Sequence, residues 1–172
     1  MDEKIQRLKE IIDGSDNIVF FGRSVDGLYN QEYDYPPETI LSHTFYRRNP
    51  EEFYRFYHNK MLFPDAKPNA AHKALAKLEK KGKLKAVVTQ NIDGLHQAAG
   101  SETVYELHGS VHRNYCESCG KFYGLKDIMA QKGVPKCSCG GIIKPDVVLY
   151  EEGLDQNTIR KSIEAISNAD VL

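Results

Sequence analysis

Apolar residues recur at helical spacing near the start of the chain. Ile5, Leu8, Ile11 and Ile12 share one face of residues 3–13, and Gly14 ends the run, which predicts an amphipathic helix. The unbroken apolar stretch Ile18-Val19-Phe20-Phe21, closed by Gly22, then predicts a buried strand feeding a tight turn. A second helix is expected over residues 69–81, with Ala71, Ala74, Leu75 and Leu78 inward and Gly82 as its stop. "LKAVVTQ" follows as the next strand. Another extended stretch begins at "DVVLYEE" (146–152), a helix is expected over 155–168, and Asp170-Val171-Leu172 reads as the start of a strand. This α-then-β rhythm predicts an α/β fold with a parallel sheet.

Residues 23–67 break the rhythm. They are rich in aromatics and punctuated by Pro36, Pro37, Pro50 and Pro64, and Asn49-Pro50-Glu51-Glu52 has the pattern of a helix start. A helical insertion is the expectation. No internal repeat or low-complexity segment accompanies it.

The 172 residues are 41% hydrophobic and 27% charged, enough for one sizeable core plus an insertion. Lys and Arg number 23 against 24 Asp and Glu, so no general field attracts a nucleic-acid backbone. The N-terminus lacks an apolar leader and no run is long enough to span a bilayer, which points to a cytoplasmic protein without membrane or direct nucleic-acid partners.

All four cysteines lie between positions 116 and 139. Cys116 and Cys119 form one close pair, Cys137 and Cys139 another, and four thiolates close a tetrahedral zinc shell with no position left for chemistry. A redox pair is the competing reading, but it has no use for a second pair of thiols. His112, four residues before Cys116, is a fifth candidate ligand that a complete set of four thiolates does not need.

Two other stretches carry polar residues where open α/β sheets bind ligands, just beyond the carboxyl ends of strands. "TQNIDGLHQAAG" (89–100) follows the apolar "AVV", and "ELHGS" (106–110) follows Val104. By themselves Asn91 and Asp93 are equally well read as turn formers, and His108 as a packed or solvated histidine rather than a general base.

Taken together, "TQNIDGLH", "ELHGS", the four-cysteine module and "KPDVVLYEE" resemble the sirtuins, the NAD-dependent protein-lysine deacylases, from Asp16 to Leu172. The resemblance implies a Rossmann-like parallel sheet built from residues 1–22, 68–114 and 142–172. It also implies an inserted small domain made of a helical module (23–67) and a zinc module (115–141). NAD is the implied co-substrate and zinc a structural ion, held by Cys116, Cys119, Cys137 and Cys139. His108 is implied as the general base, and Gly22, Arg23, Gln90, Asn91, Ile92, Asp93 and His108 as the residues around the cofactor. Val148, Leu149, Tyr150 and Glu151 carry over as the segment that pairs with an acetyl-lysine peptide, although the family commonly has glycine where Glu151 stands. The expected assembly is a monomer.

The likeness has one gap. In sirtuins a strand such as "IVFFG" runs into a glycine-containing phosphate loop, whereas here Gly22 abuts Arg23, so about a dozen residues of the pattern have no counterpart. The expectation is that this loop belongs to the molecule, with an internal deletion as the competing explanation. Acyl preference is implied by Tyr57-His58-Asn59-Lys60, where sirtuins selective for acidic acyl groups have Tyr-x-x-Arg. Lysine lacks the planar fork of arginine, so acetyl is the expected acyl group. A zinc-ribbon binding module and an NAD-dependent mono-ADP-ribosyltransferase are the alternative functions.

Overall fold

The computed structural model describes residues 2–22 and 34–172. Helix α1 (Glu3–Asp13) opens the chain, with Asp2 accepting from the Lys4 amide as its cap. Strand β1 (Ile18–Gly22) pairs in parallel with β2 (Leu84–Thr89), and β2 in parallel with β3 (Val104–Glu106). On the far side of β1, Val171 bridges to Ile18 in the parallel sense, which bears out the extended character read at residues 170–172. Helix α5 (Ala70–Lys80) lies between β1 and β2 in the chain and turns Leu75 and Leu78 onto the Ile18, Leu84 and Val87 core. Asn69 accepts from the His72 amide and so closes the first turn of that helix.

Periodicity located these elements but not their burial. Ala71 and Ala74 are exposed, as are Ile5, Leu8 and Ile11 on α1, whereas Ile12 packs against the core. Phe20 and Phe21 are exposed as well.

Among the described residues, three short helices precede α5: α2 (Pro37–Ile40), α3 (His43–Arg48) and α4 (Pro50–Phe56), the last running into a π-helical turn, Tyr57–Met61. Their buried rings, Tyr46, Phe53, Tyr54 and Tyr57, form one aromatic core that also takes in Ile128 and Ile143. Asn49 caps α4 just as the Asn-Pro-Glu-Glu pattern requires, accepting from the Glu52 amide.

A second sheet is antiparallel, in the order β5 (Phe122–Tyr123), β4 (Gly109–Cys116), β6 (Ile143–Val147). Extended structure therefore begins at Ile143, before the expected Asp146, and this strand joins β4 rather than the parallel sheet. Between Ser110 and Asn114 the β4–β6 register jumps, so residues 111–113 bulge out of the pairing. Buried Asn114 supports the bulge by donating to the carbonyls of Val111 and Tyr123. Arg113 ties the two sheets together, bonding Glu106 and Asp146 at 2.7 Å each. The chain is completed by α6 (Leu95–Ala98), α7 (Leu125–Met129) and α8 (Gln156–Ser167). Among the described residues no helix is long and apolar enough to cross a membrane.

Candidate functional site

All three parallel strands end on the same edge of the sheet, and the residues that follow them converge. The Gln90 amide donates to the Gly22 carbonyl at 3.1 Å, and buried Thr89 accepts from the Asn91 amide at 3.0 Å, so the ends of β1 and β2 are tied as they enter the loop. One turn later Asp93 accepts from the Leu95 amide at 2.9 Å and starts α6. Beyond β3, the Leu107 amide bonds the Thr89 carbonyl, and His108 sits in the turn between the sheets.

Gly109 explains why that turn is so tight. Its φ is +72°, and a Cβ there would lie 1.6 Å from the carbonyl oxygen of Asp146, so only glycine lets β6 pass this close. The contact brings His108 to the "VVLYEE" segment: its carbonyl accepts the Val148 amide at 3.0 Å. A cleft of about 570 Å3 results. Gln90, Asn91, Ile92, Asp93 and His108 line one part of it and Val148, Leu149, Tyr150 and Glu151 another, with Lys60 between the modules. Gly22 lies at the end of β1, hydrogen-bonded to Gln90; Arg23 falls outside the described residues.

Tyr57 is not among the cleft-lining side chains. It is 1% exposed, stacked on Phe53 with ring centroids 5.8 Å apart, and its hydroxyl is buried without a partner among the described residues. Lys60, one helical turn on, reaches the cleft instead.

The segment after Val148 is fastened to the helical module. Tyr150 bonds through its amide to the Leu41 carbonyl and through its carbonyl to the His43 amide. Glu151 holds a left-handed backbone, φ +76°, and its carboxylate accepts from the Thr44 amide at 2.9 Å. The next residue, Glu152, accepts from the Leu149 amide and the Lys144 ammonium and bonds the His43 imidazole at 2.8 Å. Burial pulls the Glu152 carboxyl upward, but His43, the Leu149 amide and Lys144 together hold it below the ordinary carboxylate range. Neither Thr89 nor Glu152 stood out as a site residue in sequence, although both lie within the motifs "TQN" and "VVLYEE".

The four cysteine sulfurs lie within 4.8 Å of one another, and none is in a disulfide. Separations of 3.5 Å for Cys116–Cys139 and Cys119–Cys139, and 3.6 Å for Cys119–Cys137, approach the edge of about 3.8 Å that a tetrahedron with Zn–S of about 2.3 Å demands. The Cys139 amide and the Tyr123 hydroxyl bring the Cys137 thiol down to about 5. The Lys121 amide also favours the Cys119 thiolate, yet the surrounding sulfurs outweigh it and push that thiol up to about 12. Four sulfurs this close ionise together only around a cation, and the set is therefore positioned to hold one metal ion. His112 is not part of it.

A model of the Sir2 family matches residues 15–172. The chain belongs to the Sir2 family. A relative from Clostridium perfringens named "NAD-dependent protein deacetylase" is 59% identical over 188 aligned positions, covering 100% of this chain and 77% of that protein. The aligned span exceeds the 172 residues present here. A Staphylococcus aureus protein of the same name is 42% identical over 100% of this chain and 77% of its own length. Among solved structures, Sir2Tm bound to a propionylated peptide is 38% identical with a TM-score of 0.85, covering 98% of this chain and 75% of that one. A Sir2 structure with the inhibitor EX-527, 2′-O-acetyl-ADP-ribose and a deacetylated p53 peptide is also 38% identical, with a TM-score of 0.82 and coverage of 96% and 74%. The parallel sheet, the helical module and the cysteine-bearing antiparallel sheet are thus those of the sirtuin fold.

Proposed function

We propose that the protein is an NAD-dependent protein-lysine deacetylase. It takes the acetyl group from an acetyl-lysine side chain of a protein or peptide, transfers it to ADP-ribose and releases nicotinamide. The observation that carries this reading is the meeting of His108, Asn91 and Asp93 with the Val148–Tyr150 segment in one cleft. The names of the similar proteins, and the acylated and deacetylated peptides and acetyl-ADP-ribose bound by similar structures, support it.

NAD, when bound, supplies the ribose that receives the acyl group and the nicotinamide that leaves. Gly22, Gln90, Asn91, Ile92 and Asp93 are assigned to hold it, and Arg23 is assigned to the phosphate side. Asn91 and Asp93 seat the nicotinamide end, and Gln90 faces the ribose. His108 is the general base, a role suited to an imidazole that can take and return a proton near neutral pH. Val148 offers its carbonyl to the acyl-lysine nitrogen, while Leu149, Tyr150 and Glu151 are assigned to the peptide-facing wall of the cleft, the Leu149 and Tyr150 amides being bonded within the chain to Glu152 and Leu41. Tyr57 and Lys60 bear on acyl choice, Tyr57 through the packing of its turn. Cys116, Cys119, Cys137 and Cys139 hold zinc as a structural ion, and residues 115–141 form the module around it. The reading extends to a monomer acting in the cytoplasm.

The test is to incubate the protein with an acetyl-lysine peptide and NAD and to identify products by mass spectrometry. One deacetylated peptide per nicotinamide released is expected, and His108→Ala should lower kcat by about 100-fold or more, as loss of a general base does. Persistence of the acetyl group with ADP-ribose attached to protein would assign a transferase instead. No consumption of NAD at all would leave a zinc-binding module without this chemistry.

A further inference from the structure

The loop that carries Asn91 and Asp93 is thin. The catalytic cleft lies on one side of it, and a second cavity of about 510 Å3 lies on the other, lined by Asp93, Gly94, Leu95 and His112 among others. Ile92 packs against the main core, but the cavity leaves the loop beyond it, at Asp93 and Gly94, without a packed layer of side chains behind it. Two hydrogen bonds from neighbouring residues of β4 hold it from that side: the Val111 amide donates to the Ile92 carbonyl at 3.0 Å, and His112 Nε2 donates to the Asp93 carbonyl at 3.0 Å.

Both donors sit in the bulge at residues 111–113. In the β4–β6 register His108 and Ser110 are the residues whose backbone groups face β6, so strand alternation leaves the Val111 amide on the opposite side, where it meets the loop. The imidazole then lies directly against Gly94, where φ is +69° and a Cβ would fall 2.7 Å from Cδ2 and 2.8 Å from Nε2 of His112. Ser110 accepts from the His112 amide through its hydroxyl and steadies the residue.

We infer that His112 is a positioning residue for the cofactor: by holding the Asp93 carbonyl it sets where Asp93 and Asn91 meet the nicotinamide end of NAD. This rests on the reading that the loop seats the nicotinamide. The ring is not among the cleft-lining groups and acts through the loop. A neutral hydrogen bond is worth about 1 kcal/mol, or about fivefold in an equilibrium constant.

The experiment compares wild type, His112→Ala and His112→Gln. NAD affinity is read by titration calorimetry without peptide, and KM for NAD, KM for an acetyl-lysine peptide and nicotinamide inhibition are read in turnover. His112→Ala should raise the NAD Kd and the nicotinamide inhibition constant about fivefold and leave the peptide KM within about twofold. His112→Gln, which keeps a donor at similar reach, should recover most of the loss. An unchanged NAD Kd in the alanine variant, a peptide KM that rises in step with that for NAD, or a glutamine variant no better than alanine would each overturn the inference. A wild type that binds NAD without deacetylating would sink the activity instead, and the three Kd values would still decide the role of His112.

Discussion

The carbonyl of His108 accepts the amide of Val148 at 3.0 Å, although 40 positions of chain separate the two residues. The bond joins the end of the parallel sheet to the exit of the antiparallel one, so the proposed base and the proposed peptide-pairing segment share one rigid frame. Gly109 makes the bond possible, which leads to the first prediction.

Gly109→Ala places a methyl group where the Asp146 oxygen already stands and imposes a left-handed backbone on an alanine. A destabilisation of about 3 kcal/mol or more is expected from clash and strain together. Urea denaturation measures it, and a midpoint equal to that of the wild type would show that β6 can move aside.

Glu151 combines backbone strain with a compensating bond, its carboxylate on the Thr44 amide. Glu151→Ala keeps the strain and loses the bond, whereas Glu151→Gly loses both. The alanine variant should therefore unfold at a lower urea concentration than the glycine variant, the reverse of the usual order of these two residues. The usual order would mean that the left-handed conformation costs little here.

Glu152 predicts a pH dependence. Its carboxyl is held below the ordinary value in the folded chain, so its contribution is complete above the unfolded-state pKa, about 4.5, and disappears as the pH falls through the lower folded-state value. The stability gap between wild type and Glu152→Gln should be constant above about pH 6 and close below about pH 4. A gap that instead widens on acidification would show that Lys144 and His43 do not stabilise the charged form.

The cysteine cluster predicts one zinc per chain by elemental analysis. Replacing Cys137 with serine should abolish stoichiometric zinc and expose the remaining thiols to alkylation, and a chelator should do the same to the wild type. The loss should amount to several kcal/mol, since isolated zinc fingers gain about 10–16 kcal/mol from their metal. A serine variant that melts like the wild type would remove the ion from the account of stability.

The sequence by itself determined whatever depends on neighbours along the chain. Helical spacing located α1, α5 and α8, the Asn49 and Asn69 caps lie within three residues of the amides they bond, and each pair of cysteines is held by its own short knuckle. The motifs carried the family, because "TQNIDGLH" and "ELHGS" pack loop geometry and chemistry into a few consecutive residues.

Tertiary structure decided what depends on which strand passes where. No local signal assigns Ile143–Val147 to β4, leaves Ile5 and Leu8 exposed, or buries Tyr57 while Lys60 reaches the cleft. His112 shows the division most clearly: its sequence position makes it a candidate ligand that four thiolates do not need, but only the fold shows its partner from the bulge in β4, the carbonyl of Asp93 19 positions back. A bulge is settled by pairing between strands, and that pairing is absent from any short window of sequence.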